Sequence, residues 1–329
     1  MAILAGDQGY TGHRIPVLPD AELDCSTAIF RMSNDGSAIR NQYPLDVRAG
    51  PAGAVIRGGQ VFGEIAGLPW RDLYDVGNSS SVRAGGNNRS DPGIPGVVIR
   101  DWMIDGAWDG IRVSWGCPDF VVERCYLRDM ADDAFENDRL QSGTYRNILV
   151  DGAFAGLSVD PSSSSPVDGS GNTVVLDNVL IRLAVTREYE KYGLVHASFI
   201  KTDSTEGMEV TPALRCRNVT FALTVVDHRS YRSMREAYAK MGDTSEGCWL
   251  LNLTDTPLAD AVDDYPMPPT GWTVLEGAEA RAKWAAQRDA WLAAWNGEPE
   301  EPPVDPIDAS AEVAAVETAL AALKTKLGY

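Results

Sequence analysis

The sequence predicts an all-β solenoid, and three observations carry that expectation. Residues 97–160 hold three lines that align without a gap: Ile99 falls over Val122 and Val122 over Tyr145, steps of 122 − 99 = 23 and 145 − 122 = 23. Apolar residues alternate within each line. Trp102 and Ile104 share a face with Met103 on the other, and Ile111 and Val113 share a face with Arg112 on the other; period two marks a strand. Bends recur at matching places, Asp105-Gly106, Arg128-Asp129 and Asp151-Gly152. A period in the twenties built from short β runs is the mark of repeats that stack on one another.

The alignment assigns columns. Trp102, Cys125 and Ile148 share one, Ile104, Leu127 and Val150 another, and Ile111, Ala134 and Leu157 a third. Asp101, Arg124 and Asn147 stack at a bend, and Asn178 and Asn218 recur in similar settings. Glu136 shares a column with Val113 and Val159, so alternation points it inward. A buried carboxylate must be hydrogen-bonded or neutral; the other reading sets Glu136 at the turn, bonding backbone amides beside Asn137.

This pattern resembles right-handed parallel β-helix proteins of the pectate-lyase-like superfamily, whose coils often read Arg-Asn-apolar-x-apolar and stack Asn side chains at one turn. The run Asp132-Asp133-Ala134-Phe135-Glu136-Asn137 looks like a coil motif of uncharacterised bacterial and phage members. The resemblance implies a right-handed, single-stranded parallel β-helix. It implies little about activity, because one fold carries many functions.

Taken in order, residues 1–24 are punctuated by Gly and Pro without periodicity and are expected to form an N-terminal arm or cap. Residues 25–275 form the expected β-helix. Four excursions leave it: residues 70–95, rich in Gly, Asn and Ser; 161–172; 186–193; and 227–247, where SYRSMREAYAKMGD has helical composition and a stop at Gly242. Residues 276–296 read as a helix with Trp284, Trp291 and Trp295 on one face, expected to cap the open end of the solenoid. Residues 297–310 are a Pro-rich linker. Within 311–329, Val313, Val316, Leu320, Leu323 and Leu327 follow a heptad stripe, which predicts an oligomerisation or docking helix that meets another copy or another particle protein.

The net charge of −18 argues against a nucleic-acid partner. Five cysteines without CxxC spacing argue against a disulfide framework or a zinc site. The first residues lack the basic and apolar segments of a secretion signal, and no apolar run is long enough to span a membrane. A protein made in the cytoplasm without a signal peptide, without membrane insertion, and associated with a virion is the expectation.

Stacked rows place like residues close together, which is what paired-carboxylate chemistry and oxygen-ligated cations need. Asp109, Asp132 and Asp133 are the candidate catalytic residues, and Asp105, Asp109 and Asp132 the candidate metal ligands, with calcium as the alternative to no cofactor. Asp109 is expected to stack near Asp132, with Ala155 next in that column. Trp108, Asp109, Arg112, Asp129, Asp132 and Phe154 are the candidate ligand-binding residues, with Trp108 and Phe154 turned outward for sugar stacking. The plain alternative is a solvated acidic turn. The resemblance implies acidic-polysaccharide lyases and hydrolases, but no full signature of either is present. The function expected is therefore a non-catalytic β-helix component of a phage or phage-like particle (spike, fibre or decoration protein) that displays or binds at cell-surface polysaccharide. The alternative is a polysaccharide lyase or glycoside hydrolase acting at the acidic columns.

Overall fold

A computed structural model of the protein describes residues 1–33, 43–64, 69–77, 79–161, 167–186, 188–189, 193–202, 210–226, 231–242, 246–260 and 265–297. The heptad residues Val313, Val316, Leu320, Leu323 and Leu327, and the linker beyond 297, lie outside them. The described chain is predominantly β. Its 18 strands join one hydrogen-bonded sheet, and every pairing between strands is parallel. The chain forms two compact units, Met1–Arg288 and Asp289–Tyr329.

The 23-residue step holds through the first half of the three rows within residues 97–160. Ile99 pairs Val122 and Ile104 pairs Leu127; Val122 pairs Tyr145 and Leu127 pairs Val150. The bend column is observed as a line of left-handed residues: Asp101 (φ 64°), Arg124 (49°), Asn147 (52°), Asn178 (54°) and Asn218 (53°). Asn and Asp tolerate this backbone because their short polar side chains bond locally. Asn178 Nδ2 donates to Asn147 Oδ1 at 2.8 Å and Arg124 Nε to Asp101 Oδ1 at 2.8 Å, which ties two of the four steps in this column.

The second half of the row departs from the alignment. Strand Phe120–Glu136 carries one extra residue between Met130 and Asp133. Phe135, not Ala134, therefore pairs Ile111 (135 − 111 = 24) and Leu157 (157 − 135 = 22). A bulge of one residue reverses every side chain beyond it. Glu136 leaves the Val113–Val159 column and pairs Arg112 on one side and Ser158 on the other, turned away from the apolar interior. Asn137 does the backbone bonding expected at that turn: its Nδ2 donates to Gln141 O and its Oδ1 accepts from Gln141 N.

Residues 1–24 contribute strands to the sheet. Strand Ala2–Gly9 pairs Glu22–Ser33, and His13–Ile15 pairs Leu45–Val47. The excursion at 70–95 is also more ordered than its composition suggests. It contains helix α1 (Trp70–Gly77) and strand Ser80–Ala84, which pairs both Leu45–Val47 and Asp109–Val113. One result is a continuous outward column of register partners: Arg14, Asp46, Arg83 and Arg112, then Glu136, Ser158 and Lys201.

The expected helix in 227–247 is present as α2 (Tyr231–Met241), and the C-terminal helix as α3 (Gly277–Asn296). The first half of α3 lies along the flank of the rows. Arg281 donates to Leu253 O, Lys283 sits over the Trp249 ring, Gln287 accepts from Thr220, and Arg288 approaches Asp151. The interior is one apolar cluster running from Leu18 to Tyr265, with Trp102, Phe120 and Phe221 wholly buried. All five cysteines are free thiols and buried.

Candidate functional site

The bulge gathers the carboxylates. Counting back two residues from the Ile111–Phe135 pair brings Asp133, not Asp132, level with Asp109, and Asp133 pairs Ala155 on the next row. Asp133 N donates to Asp109 Oδ1 at 3.2 Å, and Asp132 N donates to Trp108 O. One carboxylate oxygen from each of Asp109, Asp132 and Asp133 lies within 4.8 Å of the other two. All three side chains are buried, at 1%, 4% and 1% exposure. Glu136 joins them from the outward column, accepting from Arg112 Nε and from Ser80 Oγ (2.9 Å).

Two cations meet the group. Lys201 Nζ donates to Asp133 Oδ2 at 2.6 Å, and Arg112 stands 3.5 Å from Asp109 Oδ2. That second contact is an ion pair without a hydrogen bond, so Asp109 Oδ2 and also Asp133 Oδ1 are buried with no hydrogen-bond donor.

The electrostatics divide the carboxyls. Burial first, then Glu136 and Asp132, pushes Asp109 well above the usual carboxylate range. Burial, then Asp133, does the same to Asp132. Asp133 is also raised, by burial against the opposing pull of Lys201. Burial acts on Glu136 too, but attraction and hydrogen bonding from Arg112, helped by Lys201 and Ser80, outweigh it and carry Glu136 below its ordinary value. The carboxylates in turn outweigh desolvation at Lys201 and Arg112 and hold both cations protonated.

Trp70, at the start of α1, roofs the cluster. Its ring lies 5.6 Å from Trp108, 5.6 Å from Phe154, 5.2 Å from Tyr74 and 5.2 Å from Tyr189, and its backbone N donates to Glu188 O. The indole N–H draws the Asp132 pKa down in part, though it makes no hydrogen bond of ordinary geometry. Trp108 and Phe154 are thus not the exposed stacking surface that was expected; they are buried beneath Trp70, which is itself only partly covered.

Among the predicted site residues, Asp109, Asp132, Asp133, Arg112, Trp108 and Phe154 come together. Asp105 and Asp129 stand at a different bend. Asp105 is paired with Arg128 at 2.5 Å, and Asp129 is exposed. The sequence reading missed Trp70, Ser80, Tyr189 and Lys201, which come from the non-repeating segments, and misplaced Glu136. A Lys in the short strand Ile200–Thr202 is visible in the text, but nothing in the 23-residue period connects it to Asp133.

Calcium does not fit this donor set. It wants six to eight oxygens, whereas Asp109, Asp132 and Asp133 bring together one carboxylate oxygen each and Lys201 already supplies positive charge at Asp133. No helix of the described residues is long and apolar enough to cross a membrane. Comparison of the chain with family models, with curated proteins and with solved structures returned no match in any of the three.

Proposed function

We propose that the chain is a right-handed, single-stranded parallel β-helix that hydrolyses glycosidic bonds of a polysaccharide at the Asp109–Asp132–Asp133–Glu136 cluster. One observation carries this reading: neighbouring carboxyls in one cluster are driven in opposite directions, Asp132 toward its acid and Glu136 toward its carboxylate form. Divergent environments of this kind assign a general acid and a general base. Asp132 is the acid, because Asp133 is tied to Lys201 and Asp109 to the Asp133 amide, while Asp132 accepts no hydrogen bond of ordinary geometry among the described residues. It gives its proton to the glycosidic oxygen as the bond to the anomeric carbon breaks. Water adds to that carbon and loses its proton to Glu136.

Hydrolysis is preferred over β-elimination. A lyase needs a free basic group, and Lys201 and Arg112 are both held protonated by carboxylates. The test is a degradation screen of full-length protein on acidic and neutral polysaccharides, following product size. Chain shortening by the native protein that is lost in both Asp132→Asn and Glu136→Gln, each assayed well below its own melting temperature, supports the reading. Unchanged polymers throughout, or full activity in both variants, overturn it.

The heptad stripe Val313, Val316, Leu320, Leu323 and Leu327 favours a second, compatible reading: attachment of this chain to another copy or to a phage-like particle through residues 311–329. Removing 297–329 and measuring mass in solution decides it. An unchanged mass with unchanged partners removes its support.

A further inference from the structure

Beside the carboxylate cluster, with which it shares Arg112, and in a chain of net charge −18, one cleft of about 360 Å³ is lined by five arginines: Arg14, Arg48, Arg83, Arg112 and Arg139. Asp138 is the single carboxyl among its lining residues. The arginines are brought there by the outward column and by the turn after Glu136. Their fixed partners are few. Asp46 alone serves three of them, Arg14, Arg48 and Arg83, and Glu136 and Asp109 serve Arg112. Counting Asp46, Asp109, Glu136 and Asp138 as ionised still leaves 5 − 4 = +1 at the cleft. The next carboxylate out, Asp91, is turned to the Asn87 and Asn88 amides.

The donors are not used up. Arg83, 6% exposed, is fully engaged with Asp46, Gly86 O and Ser114 Oγ and acts as a fixed wall. Arg139 stacks on Trp115 and keeps Nη1 buried with no acceptor. Leaving a buried charged N–H unpaired is costly. Burial, with Asp138 pulling the other way, also lowers the Arg139 pKa, and Arg112 and Arg83 add to the lowering, as expected where positive charge is in surplus.

We propose that this cleft is a binding site for a tetrahedral oxyanion, a phosphate or sulfate group, held by Arg139 and Arg48 with Arg14 at the mouth. Forked guanidinium donors suit such groups. The group is either a free ion or an ester on a larger glycan. The site stands whether or not the carboxylate cluster is hydrolytic.

The experiment is calorimetric titration of the full chain with inorganic phosphate, inorganic sulfate, dextran sulfate and neutral dextran, at matched ionic strength with chloride as reference. Saturable binding of the inorganic ions, weakened about tenfold or more in Arg139→Gln and in Arg48→Gln and unchanged in Arg57→Gln, supports a free-ion site. Binding of dextran sulfate alone, with the same variant pattern, supports the esterified source. Arg48→Gln keeps the test decisive if Arg139→Gln folds poorly. No saturable binding beyond chloride, or equal binding by the Arg48→Gln and Arg57→Gln proteins, overturns the proposal.

Discussion

Arg112 and Glu136 are register partners on adjacent parallel strands, and the Arg112 guanidinium donates to the Glu136 carboxylate in the outward column of the sheet. The pair joins the two regions of chemical interest. Arg112 also faces Asp109 and lines the basic cleft, while Glu136 is the carboxyl of the cluster carried below its ordinary value.

Breaking that pair from one side leaves an uncompensated buried charge. Arg112→Gln is expected to destabilise the protein by about 3 kcal/mol or more, and the double variant with Glu136→Gln by less than the sum of the singles. Denaturant midpoints of the four proteins measure this coupling; strict additivity would show that the contact carries no energy of its own.

For hydrolysis, the pH–rate profile is expected to be bell-shaped. Activity falls with rising pH as Asp132, raised by burial and by Asp133, loses its proton. It falls with decreasing pH as Glu136 gains one, at a pH below the ordinary carboxylate range. Initial rates of product formation across pH check both limbs.

His196 is buried and neutral. Its Nε2 accepts from Val225 N at 3.2 Å, and burial lowers its pKa to about 4. A depressed folded value means that stability is fully present above the unfolded value of 6.5 and is lost as pH falls through about 4. The contribution is about 3 kcal/mol. Replacing His196 by Gln should flatten the pH dependence of the melting temperature between these limits.

Asp138, pushed up to about 7 by burial first and then by Glu136, tunes the basic cleft. Arg112, Lys201 and Asp133 also act on it, Arg139 is its neighbour in the cleft, and Ser158 Oγ donates to its Oδ1. Below that pH the carboxyl is neutral and the cleft carries one more positive charge than above it. Sulfate, whose own charge is constant over this range, should therefore bind more weakly as pH rises through 7, and Asp138→Asn should remove that step in the titration.

Asn147, at φ 52°, should accept Gly more easily than Ala. Ala at this left-handed bend costs about 1–2 kcal/mol of backbone strain in addition to the lost bond from Asn178. Gly forfeits only the bond, so the melting temperature of Asn147→Gly should lie above that of Asn147→Ala.

The half of each row that runs from Ile99 to Asp105 was legible in the sequence because its 23-residue spacing holds across the three rows within residues 97–160 and its bends carry Asp, Arg or Asn at the left-handed position. The other half was not, because small Ala134 fits either phase and hides the extra residue beside it. One unseen residue was enough to point Glu136 the wrong way and to exchange Asp132 for Asp133 opposite Asp109. The roof over the cluster was illegible for a different reason. Trp70 and Tyr189 belong to segments with no repeat, and Lys201 follows its register partner Ser158 by 201 − 158 = 43 residues, far off the 23-residue step. The N-terminal strands escaped notice likewise, since Ala2 pairs Leu23 and His13 pairs Leu45 at unequal spacings.

The five buried thiols, Cys25, Cys117, Cys125, Cys216 and Cys248, are distributed from the second strand layer to near the last. None meets solvent in the folded protein, and burial raises each of their pKa values, so a thiol reagent finds them only when the chain around them opens. The molecule thus carries its own set of reporters. Rates of alkylation, resolved cysteine by cysteine, would read how far unzipping from either end travels before the whole stack gives way.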